Sequence, residues 1–121
     1  MDLFYRNKCH IEPLEFALTC MATVTSRPTE GRAVIDMGRK SLSPDLHLPA
    51  VKGRDDLRFQ WLSAEHGVLE VVAGPGPAIG ECLELIPGYG DWSTLLHDRY
   101  HVFRGNEFVE AWPLDVRTRT T

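Results

Sequence analysis

Short runs in which apolar and polar residues alternate recur along this chain, each cut off by glycine, proline or aspartate. Alternation at a period of two is the mark of a strand with one face buried. In residues 16–25, Phe16, Leu18, Cys20, Ala22 and Val24 fall on one face, and Thr19, Thr23 and Thr25 on the other. A turn is expected at residues 27–31, then a short second strand at 33–37. Residues 57–62 alternate again, residues 68–72 and 81–86 read as further strands, and Gly74-Pro-Gly-Pro77 is a rigid turn between them. Residues 100–103 and 108–112 flank Arg104-Gly-Asn-Glu107, a hairpin signal. Only residues 91–96 suggest a turn of helix. About seven short strands at regular spacing predict an all-β fold, a single antiparallel barrel or sandwich. Its long loop follows the second strand, at residues 38–56, and loops of that length are often functional.

At 121 residues the chain is long enough for one domain and one core. A net charge of −4 with no basic stripe argues against a nucleic-acid or anionic-membrane surface, and the Arg117-Thr-Arg119 tail does not reverse that. Cys9, Cys20 and Cys82 show no CxxC spacing, so neither a disulfide framework nor a cysteine zinc knuckle is expected. Cys20 and Cys82 sit in apolar runs and read as core. No apolar run reaches the ~18 residues of a membrane span. The first residues lack the basic-then-apolar layout of a signal peptide, which makes a cytoplasmic protein the expectation.

No catalytic motif is complete: GxSxG, HExxH, P-loop and GxGxxG patterns are all absent. The chemistry concentrates in residues 87–98, Pro-Gly-Tyr-Gly-Asp-Trp-Ser-Thr-Leu-Leu-His-Asp. Tyr89 and Asp91 alternate with glycines, so an extended backbone puts both on one face while the glycines admit a close neighbour. The pattern has a structural reading, a turn with a packed tyrosine and an aspartate cap. It also has a functional one, in which Asp91 binds a divalent metal and Tyr89 orients a substrate or moves a proton. His97-Asp98 reads as a histidine held by a neighbouring turn or as part of a site. Residues adjacent in a strand face opposite sides, so no His-Asp relay is implied. His66 stands at a strand start beside Gly67 and could converge with His97. His10, His47 and His101 read as surface or loop residues, and Asp36 and Lys40 as a possible ion pair.

The segments 22–27, 32–45, 62–67 and 87–98, with the closing Val109-Glu-Ala-Trp-Pro113, occur in an order that resembles the C-terminal domain of the D-threonine aldolase / D-serine dehydratase family. The resemblance implies a lead-in at 1–15 similar to the connector from an N-terminal barrel, a β domain at 16–116 and a tail at 117–121. It also implies a partner, an alanine-racemase-like (β/α)₈ barrel that holds pyridoxal phosphate on a lysine. With it would come a small D-amino-acid substrate and a homo-oligomer. In the family, metal ligands precede a Leu-His-Asp stretch; Asp91 matches the second ligand, and Tyr89 stands where histidine is usual. The implied Zn or Mn site would thus rest on Asp91 and Tyr89, although a phenol is a poor divalent ligand near neutral pH. Tyr89 and His66, the latter in Glu65-His66-Gly67, are the implied catalytic residues. Asp36, Gly38 and Lys40 match the family's Asp-x-Gly-x-Lys as structural or site-lining positions. Lys8, Lys40 and Lys52 lie outside any barrel context, so the domain alone is expected to be inactive. A stand-alone β-barrel that binds a ligand or protein is the alternative.

Overall fold

A computed structural model describes residues 1–115. The elements run α1 (Leu3–Asn7), β1 (Cys20–Thr29), β2 (Arg32–Ile35), β3 (Ala50–Val51), β4 (Leu57–Leu62), β5 (Gly67–Val71), β6 (Cys82–Ile86), α2 (Gly90–Thr94), β7 (Arg99–Arg104) and β8 (Glu107–Pro113). The first six strands form one antiparallel sheet in the order β3-β6-β1-β2-β5-β4. Its edge strands β3 and β4 pack against each other, so the sheet curls into a nearly closed barrel. Strands β7 and β8 form a separate hairpin. The all-β expectation holds. Among the described residues no helix is long and apolar enough to cross a membrane.

The core fills the barrel with alternate residues: Ala22 and Val24 from β1, Ala33 and Ile35 from β2, Leu83 and Leu85 from β6. Strand β4 breaks the alternation. Leu57, Phe59 and Leu62 all point inward, because a register shift between Phe59 and Trp61 resets the parity and leaves Trp61 about half exposed. Period-two reading places Trp61 beside Phe59, and the bulge corrects it. Strand β1 starts at Cys20 rather than at Phe16, and it runs through Pro28 to Thr29, where a turn was expected. An irregularity in its pairing with β2, between Ser26 and Thr29, lets the proline sit in the strand. The expected loop at 38–56 contains the two-residue strand β3. Met37 and Leu42, which bracket its first turn, are buried in the core.

One of the two cysteine readings changes. Cys82 is exposed, because it lies on the outer face of β6 opposite the inward Leu83 parity. Cys20 packs against the core, partly buried as a core reading requires, and burial pushes its thiol up to about 11. The lead-in at 1–15 holds one short helix, α1, and the expected tail at 117–121 lies outside the described residues.

Candidate functional site

Residues 87–89 leave β6 and turn into α2, with Tyr89, extended at φ −137° and ψ 115°, as the residue before the first helical turn. Asp91 lies in the first turn of α2, not in the extended run that the alternation suggests, and the two side chains still meet: the Tyr89 hydroxyl donates to Asp91 Oδ2 at 2.9 Å. Asp91 therefore does not cap the helix; its carboxylate accepts from the phenol. That hydrogen bond, helped by partial desolvation and by the negative charge of Asp91, pushes the Tyr89 hydroxyl up to about 12. The phenol stays protonated at neutral pH and acts as a donor.

The glycines serve the close approach that their spacing suggests. A Cβ on Gly88 would lie 1.7 Å from the His47 carbonyl oxygen, so the loop between β2 and β3 crosses there backbone against backbone. A Cβ on Gly90 would lie 3.0 Å from Asp2 Oδ2. The Tyr89 ring sits in an aromatic group, edge-on to Phe4 (centroids 5.5 Å apart) and to Trp92 (5.4 Å), with Tyr5 at 6.1 Å. Ser93, 1% exposed, fixes α2 from below: its hydroxyl donates to the Tyr89 carbonyl at 3.0 Å and accepts from the Ser43 N–H at 3.3 Å.

His66 and His97 flank one loop segment without meeting. Residues 38–41 pack on the turn that carries His66, with Arg39 N–H donating to Ser63 O at 2.8 Å and Lys40 N–H to Ala64 O at 3.1 Å. Gly38 is required there, because a Cβ would lie 2.5 Å from both His66 N and Ser63 O. At the other end, the half-buried His97 ring bonds through Nε2 to the Ser41 carbonyl at 2.7 Å. This matches a histidine held by a neighbouring turn. The His66 ring is exposed. Among the described residues no hydrogen bond joins it to His97 or to the Tyr89–Asp91 pair. The Asp36–Lys40 ion pair does not form: Lys40 pairs with Glu65, and Asp36 accepts from Thr23 N–H at 2.7 Å.

Beside α2 the loop leaves an open cleft of about 230 Å³, lined by Arg39, Ser43, Pro44, Asp45, Trp92 and Leu96. It shares Trp92 with the Tyr89 group. Sequence reading missed this cleft and missed Asp2, whose buried carboxylate accepts from Gly90 N–H at 2.6 Å. An Asp-Leu-Phe-Tyr start is a helix-cap signal, but nothing in it points to a partner near the far end of the chain.

The family model described as "Putative serine dehydratase domain" matches residues 17–103. The chain is 34% identical to a D-threonine aldolase of Arthrobacter sp over 108 residues, 87% of this chain and 28% of that protein. It is 37% identical to a 3-hydroxy-D-aspartate aldolase of Paracoccus denitrificans, over 85% of this chain and 26% of that one. The chain thus spans little more than a quarter of the curated relatives it matches. A crystal structure of D-threonine aldolase from Filomicrobium marinum superposes with a TM-score of 0.88 at 31% identity, covering 97% of this chain and 33% of that one. A D-threo-3-hydroxyaspartate dehydratase from Delftia sp. HT23 shares the fold, with a TM-score of 0.72 at 20% identity over 93% of this chain.

Proposed function

Since the chain belongs to the serine dehydratase domain family, we propose that it is the C-terminal, site-lining domain of a pyridoxal-phosphate-dependent D-amino-acid lyase of D-threonine aldolase or D-serine dehydratase type. The observation that carries this reading is the superposition on a solved D-threonine aldolase, of which a domain of this shape makes up one third. The reaction would be retro-aldol cleavage of a D-3-hydroxy amino acid or loss of water from D-serine. The partner would be an N-terminal barrel, the assembly an oligomer and the compartment the cytoplasm.

The residues of this chain do not fit the cofactor. Pyridoxal chemistry needs a Schiff-base lysine and a phosphate cradle. Lys8 is exposed, Lys40 pairs with Glu65 and Lys52 with Glu84, and none lines the cleft. On the proposed reading the barrel holds it. A Zn or Mn ion does not fit the described residues by themselves either. Among them no three His, Cys, Asp or Glu side chains converge, and Asp91 is engaged by a phenol that keeps its proton. Any metal would need ligands from outside these residues.

Tyr89 and Asp91 fit proton handling at the substrate's β-hydroxyl. In elimination that oxygen leaves as water and needs a proton, which a protonated Tyr89 can supply. In cleavage the hydroxyl proton must depart, and the Asp91 carboxylate is the acceptor already in contact with Tyr89. His66 joins the proposal on its exposure and its Glu65-His66-Gly67 setting alone. A second reading, a stand-alone binding barrel, is favoured by the exposed aromatic residues of the β7–β8 hairpin, Phe103, Phe108 and Trp112. On the first reading the partner domain covers them.

The test joins this chain to the polypeptide encoded upstream of it and assays D-threonine, D-serine and 3-hydroxy-D-aspartate with pyridoxal phosphate. Activity is expected from the joined protein, and Tyr89→Phe should lower kcat by about 100-fold or more. The 121 residues alone should be inactive and should form no lysine-dependent band with the cofactor. Activity or such a band from the chain alone would sink the division of labour.

A further inference from the structure

We propose that Asp2 is a positioning residue for Tyr89 and Asp91, its buried carboxylate locking α1 onto the backbone that carries both side chains. The proposal rests on the reading that the Tyr89–Asp91 face is the functional site. Asp2 is 4% exposed, and both of its oxygens are used. Oδ1 accepts from Tyr5 N–H at 2.9 Å, which caps α1, and Oδ2 accepts from Gly90 N–H at 2.6 Å. Among the described residues no cation pairs with Asp2, so two backbone N–H dipoles hold its charge.

The lock has two further bonds. The first N–H groups of a helix lack partners inside it. In α1, Leu3 N–H donates to Pro87 O at 3.1 Å and Phe4 N–H to Gly88 O at 2.8 Å. With the Asp2–Gly90 bond, three hydrogen bonds from consecutive residues reach the backbone on both sides of Tyr89. The same docking lays the Phe4 and Tyr5 rings on the Tyr89 ring, while Trp92 meets it elsewhere. The Tyr89 ring is thus flanked by rings from α1 and α2, and its hydroxyl reaches Asp91.

A carboxylate is needed because both of its oxygens must accept. Asparagine offers one oxygen and one NH₂ group, and the NH₂ would face an N–H. Alanine takes the acceptor from the buried Gly90 N–H and from the part-buried Tyr5 N–H. In both variants the Tyr89–Asp91 contact should loosen while the barrel stays folded.

The experiment is NMR on the 121-residue chain, comparing wild type with Asp2→Ala and Asp2→Asn. Exchange of the Gly90 amide should speed up by about tenfold or more. The carboxyl carbon of Asp91 and the ring of Tyr89 should shift, with the Asp56 carboxyl carbon as an unmoved control. Asp2→Asn, nearly isosteric, gives the answer if Asp2→Ala fails to fold. Unchanged Tyr89 and Asp91 signals beside a lower melting temperature would mean that Asp2 only stabilises, and would overturn the proposal. A Tyr89→Phe protein with full lyase activity would instead overturn the functional reading and leave the role of Asp2 standing.

Discussion

Tyr89 and Asp91 act as a unit: the phenol is the donor, the carboxylate the acceptor, and each determines what the other can do. The hydroxyl ionises near 12, above the ordinary 10, because Asp91 accepts its proton and opposes a second negative charge. A raised folded-state value favours the protonated form, so this contribution to stability is complete below pH 10 and is lost as pH climbs through 12. Ultraviolet titration of Asp91→Asn should show one tyrosine ionising closer to 10 than in wild type; an unchanged curve would show that Asp91 does not hold the phenol. Calorimetry with Mn²⁺ or Zn²⁺ on the isolated chain should give no saturable heat that Asp91→Ala removes. The sequence reading put these two side chains together through an extended run, whereas the structure brings them together with Tyr89 extended and Asp91 in the first turn of α2. The sequence could not show that they bond to each other, because that depends on rings from α1 placed by folding.

The elements around the site depend on close backbone crossings. Gly88 and Gly38 are the tightest, each with carbonyl oxygens where a Cβ would go. Backbone cannot swing aside as a side-chain tip can. Gly88→Ala and Gly38→Ala should each cost about 3 kcal/mol, read as a lower midpoint in urea unfolding. Gly31→Ala, with open space around it, is the control and should cost under about 1 kcal/mol. The alternating glycines of residues 87–90 were visible in the sequence as a place for close approach. The occupant, the His47 backbone, was not, because no local pattern ties the crossing of a long loop to a strand end forty residues on. The β4 bulge was hidden for a related reason: Leu57, Phe59 and Trp61 alternate cleanly, and only pairing with β5 decides where the parity resets.

At the scale of the whole molecule, a filled barrel carries a separate hairpin. Thr94 Oγ1 of α2 meets the Tyr100 hydroxyl of β7 at 2.7 Å, and Leu114 N–H donates to Asp98 O at 2.9 Å, which closes the open end of the hairpin itself. Phe103 and Phe108 are each more than half exposed. In the isolated chain this surface should bind a hydrophobic dye, and Phe103→Lys with Phe108→Lys should cut that fluorescence severalfold without lowering the barrel's melting temperature. The barrel has a polar clasp near its seam. Arg54 bonds both oxygens of Asp56 at 2.8 Å and Glu81 at 2.5 Å, tying the β3–β4 turn to the start of β6. The Arg54 guanidinium holds Asp56 below the usual carboxylate range, so the clasp's stabilisation is present above pH ~4 and lost as pH falls through the depressed value. Arg54→Met should therefore cost about 1 kcal/mol at neutral pH, and the gap to wild type should close in acid melts.

The strand order also sets how the barrel can form in time. The strands at the seam, β3 and β4, are neighbours along the chain, while the pairing of β1 with β6 joins Cys20 to Leu85, the most distant match in the sheet. Closing a short loop costs little entropy and closing a long one costs more. The rate of folding should thus be governed by the β1–β6 match, and the ring should zip shut afterwards at almost no kinetic cost. Core truncations in β1 and β6 will slow refolding, whereas loss of the Arg54 clasp will mainly speed unfolding.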